Sequence, residues 1–227
     1  MAAFREAAAV RADMIELDVR LTADKELVVL HDRRLNRTTS GSGRIREHCL
    51  RDLAGLDAGS WFQNSFSGEP IPTLRAVLGW LPARVGLNIE VKTDGDVRRR
   101  SNMARKLAAE LHGRTMRSRV VVSSFDHRFL SLFRQYDDRV ATGVLFMPVR
   151  DAFVLPSVIC RRAGAAWFVC GRSHLRRWMV AHCRRHGILV ACYGINTRTH
   201  LVRMQHLAVD AVITDYPERM LRLLQRG

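Results

Sequence analysis

Short β-rich runs alternate with amphipathic stretches along almost the whole chain of 227 residues, and this alternation narrows the possible folds more than any other feature. The β-rich runs are Met14–Val19, Leu27–Leu30, Val85–Val91, Val120–Phe125, Ala141–Phe146, Ala166–Cys170, Ile188–Tyr193 and Ala211–Thr214. Helical patterns lie between most of them, at Thr73–Leu81, Val97–Leu111, Phe129–Tyr136, Ala152–Ala163, Leu175–His186, Thr199–His206 and Pro217–Gln225. This order predicts an α/β protein with a parallel sheet, and about eight such units favour a TIM (β/α)8-type barrel.

Two places interrupt the alternation. Asp18 and Leu27 are too close in sequence for a crossover helix, so the first two strands must join by a short excursion. Residues 33–72 are then a long irregular stretch with five glycines. A loop of that length within a compact domain is usually functional, so we predict one barrel domain over residues 1–227 with an insertion at 33–72.

Alternation along two of the strands predicts which side chains share a face. In the first run, Glu16 and Asp18 lie on the face opposite to the apolar side chains. In the run that begins at Val85, Glu90 and Lys92 likewise alternate with the apolar residues. His31 falls at the end of the second run. Barrel active sites lie at the C-terminal ends of the strands, so we expect these groups to meet there.

Carboxylates that meet without a partner repel one another and cost free energy to bury. Two arrangements solve this problem. Glu16, Asp18 and Glu90 can hold a hard divalent cation, since Ca²⁺ and Mg²⁺ prefer oxygen ligands. Alternatively, Lys92 and neighbouring arginines can neutralise the carboxylates in a structural ion network. The residue pattern leaves both arrangements open.

The chain is strongly basic, with 37 Lys and Arg against 22 Asp and Glu. Such a charge attracts polyanions, but no block of five like charges occurs, so a basic solvated surface is predicted rather than a specific nucleic-acid site. The five cysteines lack zinc-ligand spacing and are interpreted as buried residues of a reducing compartment. No apolar run is long enough to span a membrane, and charges interrupt residues 1–20, so a cytoplasmic location without a membrane span is expected.

Several long motifs occur in a characteristic order. IELDVRLTADKELVVLHDRRLNRTTSGSG is followed by LDAGSWF, GEPIPTL, GLNIEVK, VVVSSFD, VACYGIN and VDAVITDYP. Together they resemble the glycerophosphodiester phosphodiesterase family over nearly the whole chain from Ala3 onward. The resemblance implies a TIM barrel in which residues 33–72 are a small insertion, and hydrolysis of a glycerophosphodiester to glycerol 3-phosphate and an alcohol.

The resemblance also assigns roles to individual residues. Ca²⁺ or Mg²⁺ is expected at the residues that match Glu16, Asp18 and Glu90. His31 matches a catalytic histidine, and Lys92 matches a basic residue beside the phosphate. Asp32 either orients His31 or begins the following turn, and both readings stay open.

The expected substrate-binding residues are Tyr193, Asn196 and Trp61. Tyr193 stands where the family usually has tryptophan, and it would form an aromatic wall for the glycerol end. A core aromatic is the alternative reading. Trp61 would cap the substrate or simply pack the insertion onto the barrel. Asp215 is interpreted as a cap of the last helix, with Pro217 in its first turn.

One departure from the family pattern affects the predicted activity. In the family, a strand that ends in His-Arg-Gly precedes the segment matching Ala3-Phe4, whereas this sequence opens at Met1. We therefore expect hydrolysis to be impaired by about 10²–10⁴-fold, since one acid–base partner would be missing. The alternative is a relative without turnover that binds phosphorylated ligands. A missing first strand would also leave strand edges unpaired, which predicts low stability, self-association through the open barrel edge, or replacement of the strand by another segment.

Overall fold

The computed structural model describes residues 1–225 and contains α-helices and β-strands in the predicted alternation. The chain divides into two compact units, Met1–Val120 and residues 121–227. The predicted single domain over residues 1–227 stays a prediction. No helix in the described part of the chain is both long enough and apolar enough to cross a bilayer.

The first unit contains three strands and four α-helices. In chain order they are α1 (Ala2–Ala9), β1 (Met14–Leu21), β2 (Leu27–Val29), α2 (Leu50–Leu53), α3 (Leu74–Trp80), β3 (Gly86–Val91) and α4 (Val97–Leu111). Short 3-10 helices lie at Ile45–Glu47, Asn64–Phe66 and Thr115–Arg119. The predicted excursion after β1 is confirmed, because β2 folds back antiparallel on β1 with Val19 opposite Val29.

Strands β1 and β3 run parallel and hold the register on which the candidate site depends. Glu16 lies opposite Asn88, and Asp18 lies opposite Glu90. The alternate residues of both strands are buried hydrophobics, namely Ile15, Leu17, Val19, Leu87, Ile89 and Val91. The predicted division of each strand into an apolar face and a polar face is therefore confirmed.

The predicted insertion, residues 33–72, contains one short α-helix and two of the 3-10 helices, with a small apolar cluster of its own. The cluster comprises Val28, Leu35, Ile45, Leu53 and Ile71. Because these side chains are buried together, the segment is a packed structure rather than an open loop. It is fixed to the strand that immediately precedes His31.

The second unit contains the remaining strands and helices. They are β4 (Val120–Ser124, which begins at the boundary), α5 (His127–Tyr136), β5 (Ala141–Leu145), α6 (Pro148–Asp151), α7 (Pro156–Ala163), β6 (Trp167–Gly171), α8 (Arg177–Arg185), β7 (Leu189–Tyr193), α9 (Arg198–Leu207), β8 (Ala211–Ile213) and α10 (Pro217–Leu224). Strands β4 to β8 pair in chain order and are all parallel, so their C-terminal ends lie at one edge of the sheet.

All eight predicted strands are present, but the helix predicted at Ala152–Ala163 is wrong in its first half. Only α7 forms within that range, and it begins at Pro156, after a turn that follows α6. Proline has no backbone N–H to donate and its ring clashes with the preceding turn, so a helix begins at it rather than running through it. The alanine-rich helix α1 was not predicted from the sequence.

Helix α4 offers a direct test of a capping interaction. The Asp96 carboxylate accepts a hydrogen bond of 2.8 Å from the backbone N–H of Arg99. Arg98, Arg99 and Arg100 place positive charge in the same first turn, where the helix dipole disfavours it. Among residues 96–100, which the structure describes, Asp96 is the one acidic side chain.

We predict that Asp96→Ala lowers the free energy of unfolding by about 1 kcal/mol, because it removes both the cap and the negative charge. Asp96→Asn keeps an oxygen acceptor and should lose clearly less. Urea unfolding of the three proteins measures this difference. Equal losses for the alanine and asparagine variants would show that the charge matters and the hydrogen bond does not.

Candidate active site

Three carboxylates converge where β1 and β3 run side by side. Glu16 and Asp18 project from β1 and Glu90 projects from β3, each half-buried. Each contributes one oxygen such that these oxygens all lie within 4.8 Å of one another. The convergence follows from the register, because Asp18 and Glu90 are direct neighbours and Glu16 lies two residues back on the same face.

Lys92 joins this cluster from the end of β3. Its Nζ lies 3.1 Å from Asp18 Oδ1 and also contacts Glu90 Oε1. Its backbone N–H donates to the carbonyl of Val19, which holds the lysine beside β1. One ammonium group therefore bridges carboxylates from two strands, as the second of the two sequence-based arrangements requires.

The electrostatics of the cluster reflect its partial burial. Burial raises the pKa of Glu90, and the nearby Asp18 carboxylate adds to that rise, although Lys92 opposes it. Burial by itself would lower the pKa of Lys92, but the Glu90 and Asp18 carboxylates outweigh burial and raise it. The cluster thus carries more negative charge than one lysine can balance, and added positive charge would stabilise it.

His31 lies just beyond β2, with its ring largely exposed. Two hydrogen bonds fix its backbone, since Arg20 donates from Nε and from its terminal amino group to the His31 carbonyl oxygen at 2.9 and 2.7 Å. Arg20 is buried on β1. Arg20 was not predicted as a functional residue, and its only signal in the sequence is an arginine inside an otherwise apolar part of the strand.

Asp32 orients the ring of His31. Its Oδ1 lies 2.8 Å from His31 Nδ1, while Arg37 donates to both carboxylate oxygens at 2.6 and 2.8 Å. The hydrogen bonds from Arg37 and then from His31 hold the pKa of Asp32 far below its ordinary value. An ionised Asp32 favours the proton on Nδ1, and the other ring nitrogen, Nε2, then becomes the acceptor.

Trp61 extends this chain of contacts into the insertion. The Arg37 guanidinium lies 5.7 Å from the centre of the indole ring, in the range of a cation–π contact. The indole N–H donates to the Ala58 carbonyl at 2.9 Å, and half of the side chain stays exposed. The structure therefore connects Trp61 to His31 through Arg37 and Asp32, whereas packing alone would have buried the ring.

Tyr193 and Asn196 belong to the second unit, at the C-terminal end of β7. The ring of Tyr193 lies against Gly171 on β6, where a β-carbon would approach it to 3.0 Å, so a larger residue at 171 would displace it. The Asn196 side chain binds the turn after β8. It donates to Asp215 Oδ2 at 2.6 Å and accepts from Thr214 Oγ1 and the Asp215 N–H, both at 3.1 Å.

The interpretation of Asp215 as a helix cap is wrong. The side chain of Asp215 accepts from Asn196, and α10 has Tyr216 before it with no side-chain cap. Pro217 does occupy the first turn of α10, as predicted. Asn196 and Asp215 instead connect the ends of two adjacent strands.

The chemistry of the donor set fits a hard divalent cation. Glu16, Asp18 and Glu90 offer only carboxylate oxygens, which Ca²⁺ and Mg²⁺ prefer over nitrogen or sulfur. The described residues contain no other group of three histidine, cysteine, aspartate or glutamate side chains at ligand distance. These three residues are also the set named from the sequence.

Comparison with known proteins identifies the family. Residues 1–219 match the model of the glycerophosphoryl diester phosphodiesterase family. The chain is 32% identical over 228 residues to a glycerophosphodiester phosphodiesterase of Caldanaerobacter subterraneus, covering 100% of this chain and 92% of that protein. It is 33% identical to YhdW of Bacillus subtilis, covering 98% and 90%.

Solved structures agree with this match. A phosphodiesterase of Oleispira antarctica, determined in complex with the product sn-glycerol-3-phosphate, superposes with a TM-score of 0.89 at 24% identity, covering 99% of this chain and 90% of that chain. A glycerophosphodiester phosphodiesterase of Agrobacterium tumefaciens gives a TM-score of 0.80 at 26% identity, with coverage of 94% and 88%. The predicted fold class, α/β of the TIM-barrel type, is confirmed. The chain belongs to the glycerophosphoryl diester phosphodiesterase family.

Proposed function

We propose that this protein hydrolyses glycerophosphodiesters to glycerol 3-phosphate and an alcohol, with Ca²⁺ or Mg²⁺ held by Glu16, Asp18 and Glu90. One observation carries the proposal. Three carboxylate oxygens lie within 4.8 Å of one another on two adjacent strands, with Lys92 beside them. The relatives from Caldanaerobacter subterraneus and Agrobacterium tumefaciens are glycerophosphodiester phosphodiesterases, which supports the same substrate class here.

The charges of the cluster suit a phosphodiester substrate. Such a diester is an anion, and negative charge gathers on its non-bridging oxygens in the transition state. A divalent cation, when bound, supplies Lewis-acid stabilisation of those oxygens. Lys92 adds a second positive group, whose raised pKa keeps it protonated at neutral pH. With a cation present, Lys92 can leave the carboxylates and contact the phosphate.

His31 is the group that would move a proton. Because Asp32 occupies the Nδ1 side of the ring and the side chain is 64% exposed, Nε2 is the nitrogen that would take or give a proton. Arg20 fixes the backbone of His31 and Arg37 keeps Asp32 ionised. Asp32, Arg20 and Arg37 are thus positioning residues that keep the imidazole in one orientation.

Substrate contacts are proposed for Trp61 and Tyr193, and a role at the substrate end of the strands for Asn196. The half-exposed indole of Trp61 would cover the alcohol or glycerol portion. The ring of Tyr193 is half-buried and would form an apolar wall that also offers a hydroxyl group. The Asn196 amide already has three hydrogen-bond contacts with Thr214 and Asp215, which supports a role in shaping the strand ends more than direct substrate binding.

A second candidate is binding of phosphorylated ligands without turnover. The contacts of Lys92 with both Asp18 and Glu90 favour it, because they neutralise part of the cluster without a cation. Measured product release separates the two candidates. Glycerol 3-phosphate formed from glycerophosphocholine in the presence of cation supports hydrolysis, and ligand binding without product supports the alternative.

Two further expectations remain proposals. The cysteines Cys160, Cys170, Cys183 and Cys192 are free and buried, which supports a reducing, cytoplasmic setting. Self-association through a strand edge is tested by sedimentation velocity over a range of protein concentrations.

The metal proposal predicts a stability change that does not depend on turnover. Ca²⁺ or Mg²⁺ should stabilise the protein by roughly 2.7 kcal/mol when the cation is at about 100 times its Kd, and a chelator should reverse the effect. Glu16→Gln should abolish the stabilisation and the hydrolysis together. Glu26→Gln, which removes a carboxylate paired with Lys106 instead, is the matched control. If neither cation changes the Tm of the protein, and the Glu16→Gln substitution raises it, the structural ion network is supported instead.

The proton-transfer proposal predicts that His31→Asn lowers kcat by about 10²–10⁴-fold while the cation-dependent rise in Tm remains. Asp32→Asn should lower kcat less, because it disturbs the orientation of the ring and leaves the imidazole in place. The exposed His112 provides the control substitution His112→Asn, with no change expected. Unchanged kcat in His31→Asn would remove this residue from the mechanism.

A further inference from the structure

An apolar segment projects from the second unit between β5 and α7. Val149 and Phe153 are fully exposed, and Met147 and Leu155 are exposed over more than a third of their surface. Scattered apolar residues are common on protein surfaces, but four within nine residues form a patch. A patch of this kind in water usually marks a surface that meets another apolar phase.

Polar contacts underneath hold this segment in place. The buried carboxylate of Asp151 accepts from the Met147 N–H at 2.8 Å and pairs with Arg150 at 2.7 and 2.8 Å. Arg150 also donates to the Phe125 carbonyl at 2.7 Å and to His127 Nε2 at 2.8 Å. Every one of these contacts lies on the protein side, so the apolar side chains are presented outward by a fixed turn.

The same edge of the sheet carries further exposed apolar and basic side chains. The loops that follow β4, β5, β6 and β8 all leave the C-terminal ends of parallel strands. Two more exposed aromatic side chains lie there, Trp178 at the start of α8 and Tyr216 before α10. Exposed arginines in these loops and in the first turns of the helices that follow them are Arg128, Arg172, Arg176, Arg177 and Arg219. Arg150 is not counted among them, because it is paired with Asp151.

Two of the four acidic residues at this edge are paired with arginine, Asp151 with Arg150 and Glu218 with Arg222. The other two, Asp126 and Asp215, accept hydrogen bonds from the Phe129 N–H and from Asn196, which do not cancel a negative charge. The five arginines named above outnumber these two carboxylates, so the net charge of this edge is positive. We call this set of loops, with its exposed apolar and arginine side chains, the basic apolar edge.

We propose that the basic apolar edge docks the protein on an anionic lipid bilayer, with Val149 and Phe153 entering the headgroup region. Arginines attract the negative surface, and Trp178 and Tyr216 suit the boundary between water and acyl chains. The proposal concerns peripheral contact with the bilayer surface and does not depend on the proposed hydrolysis.

Two other occupants fit this edge less well. A nucleic acid would use the arginines, but its phosphates give no reason to expose Val149 and Phe153 in a fixed turn. A second copy of the same edge would bring arginines against arginines, and like charges in contact are unfavourable. A bilayer with anionic headgroups accounts for both the positive charge and the exposed apolar side chains.

Co-sedimentation of the full chain with vesicles tests the proposal. Vesicles of 70% phosphatidylcholine and 30% phosphatidylglycerol are the probe, used at about 0.15 M salt so that the Debye length is near 8 Å. We expect binding to these vesicles and much weaker binding to pure phosphatidylcholine. Val149→Ser and Phe153→Ser should each weaken binding by about tenfold, since each removes a buried apolar side chain from the lipid phase.

Val202→Ser is the matched control, because Val202 is an exposed valine on α9, and serine and valine have similar helix propensities. It should bind vesicles like the original chain. Arg128→Gln with Arg177→Gln should weaken binding and reduce its dependence on salt. Because Val149 and Phe153 are fully exposed, the two serine variants should have the same Tm as the original chain. Their hydrolysis of glycerophosphocholine in solution should also be unaffected.

Several results would overturn the proposal. The proposal fails if the original chain sediments with neither kind of vesicle, or if both serine variants bind as well as the control. A concentration-dependent dimer that Phe153→Ser dissociates, without vesicle binding, would assign the edge to contacts between copies. Binding to a single-stranded oligonucleotide that the serine variants retain, again without vesicle binding, would assign it to nucleic acid.

Discussion

The parallel register between β1 and β3 is the constraint on which the candidate site depends. It places Asp18 beside Glu90 and leaves Glu16 on the same face, two residues away. Three carboxylates this close are unfavourable unless positive charge accompanies them. Lys92 supplies part of that charge from the end of β3, and its contacts with Asp18 and Glu90 show how strongly the cluster attracts cations. Because of the same excess of negative charge, a bound divalent cation would stabilise the cluster.

A second chain of contacts supports the imidazole next to this cluster. Arg20 fixes the backbone of His31, Asp32 orients its ring, and Arg37 keeps Asp32 ionised. Trp61 completes the chain by covering the Arg37 guanidinium. Residues 33–72 therefore also influence His31, which lies outside this segment. The apolar cluster that they share with Val28 holds Leu35 and Ile45 in place near Arg37. Arg37 in turn supports Asp32, which orients His31.

The second unit combines an ordinary buried core with an unusual edge. Its strands alternate with helices, and Asn196 and Asp215 join the ends of β7 and β8. The basic excess of the sequence, which by itself predicted only a solvated surface, has a particular distribution here. Arginines stand beside fully exposed apolar residues, while two of the carboxylates at the same edge, Asp151 and Glu218, are paired with other arginines. Composition could not reveal this separation, because it depends on which charges find internal partners.

The sequence by itself determined the order of the strands and of most helices, the family, and the division of β1 and β3 into apolar and polar faces. These depend on local periodicity and on long motifs, which the chain carries without reference to its fold. Only the tertiary structure decided the register that brings Asp18 to Glu90, the burial of Arg20, and the binding of Asn196 to Asp215 rather than of Asp215 to a helix. It also showed that Asp32 orients His31, which the sequence had left open. The physical reason is that each of these contacts joins residues through space, and periodicity along a chain does not specify distances between separate segments.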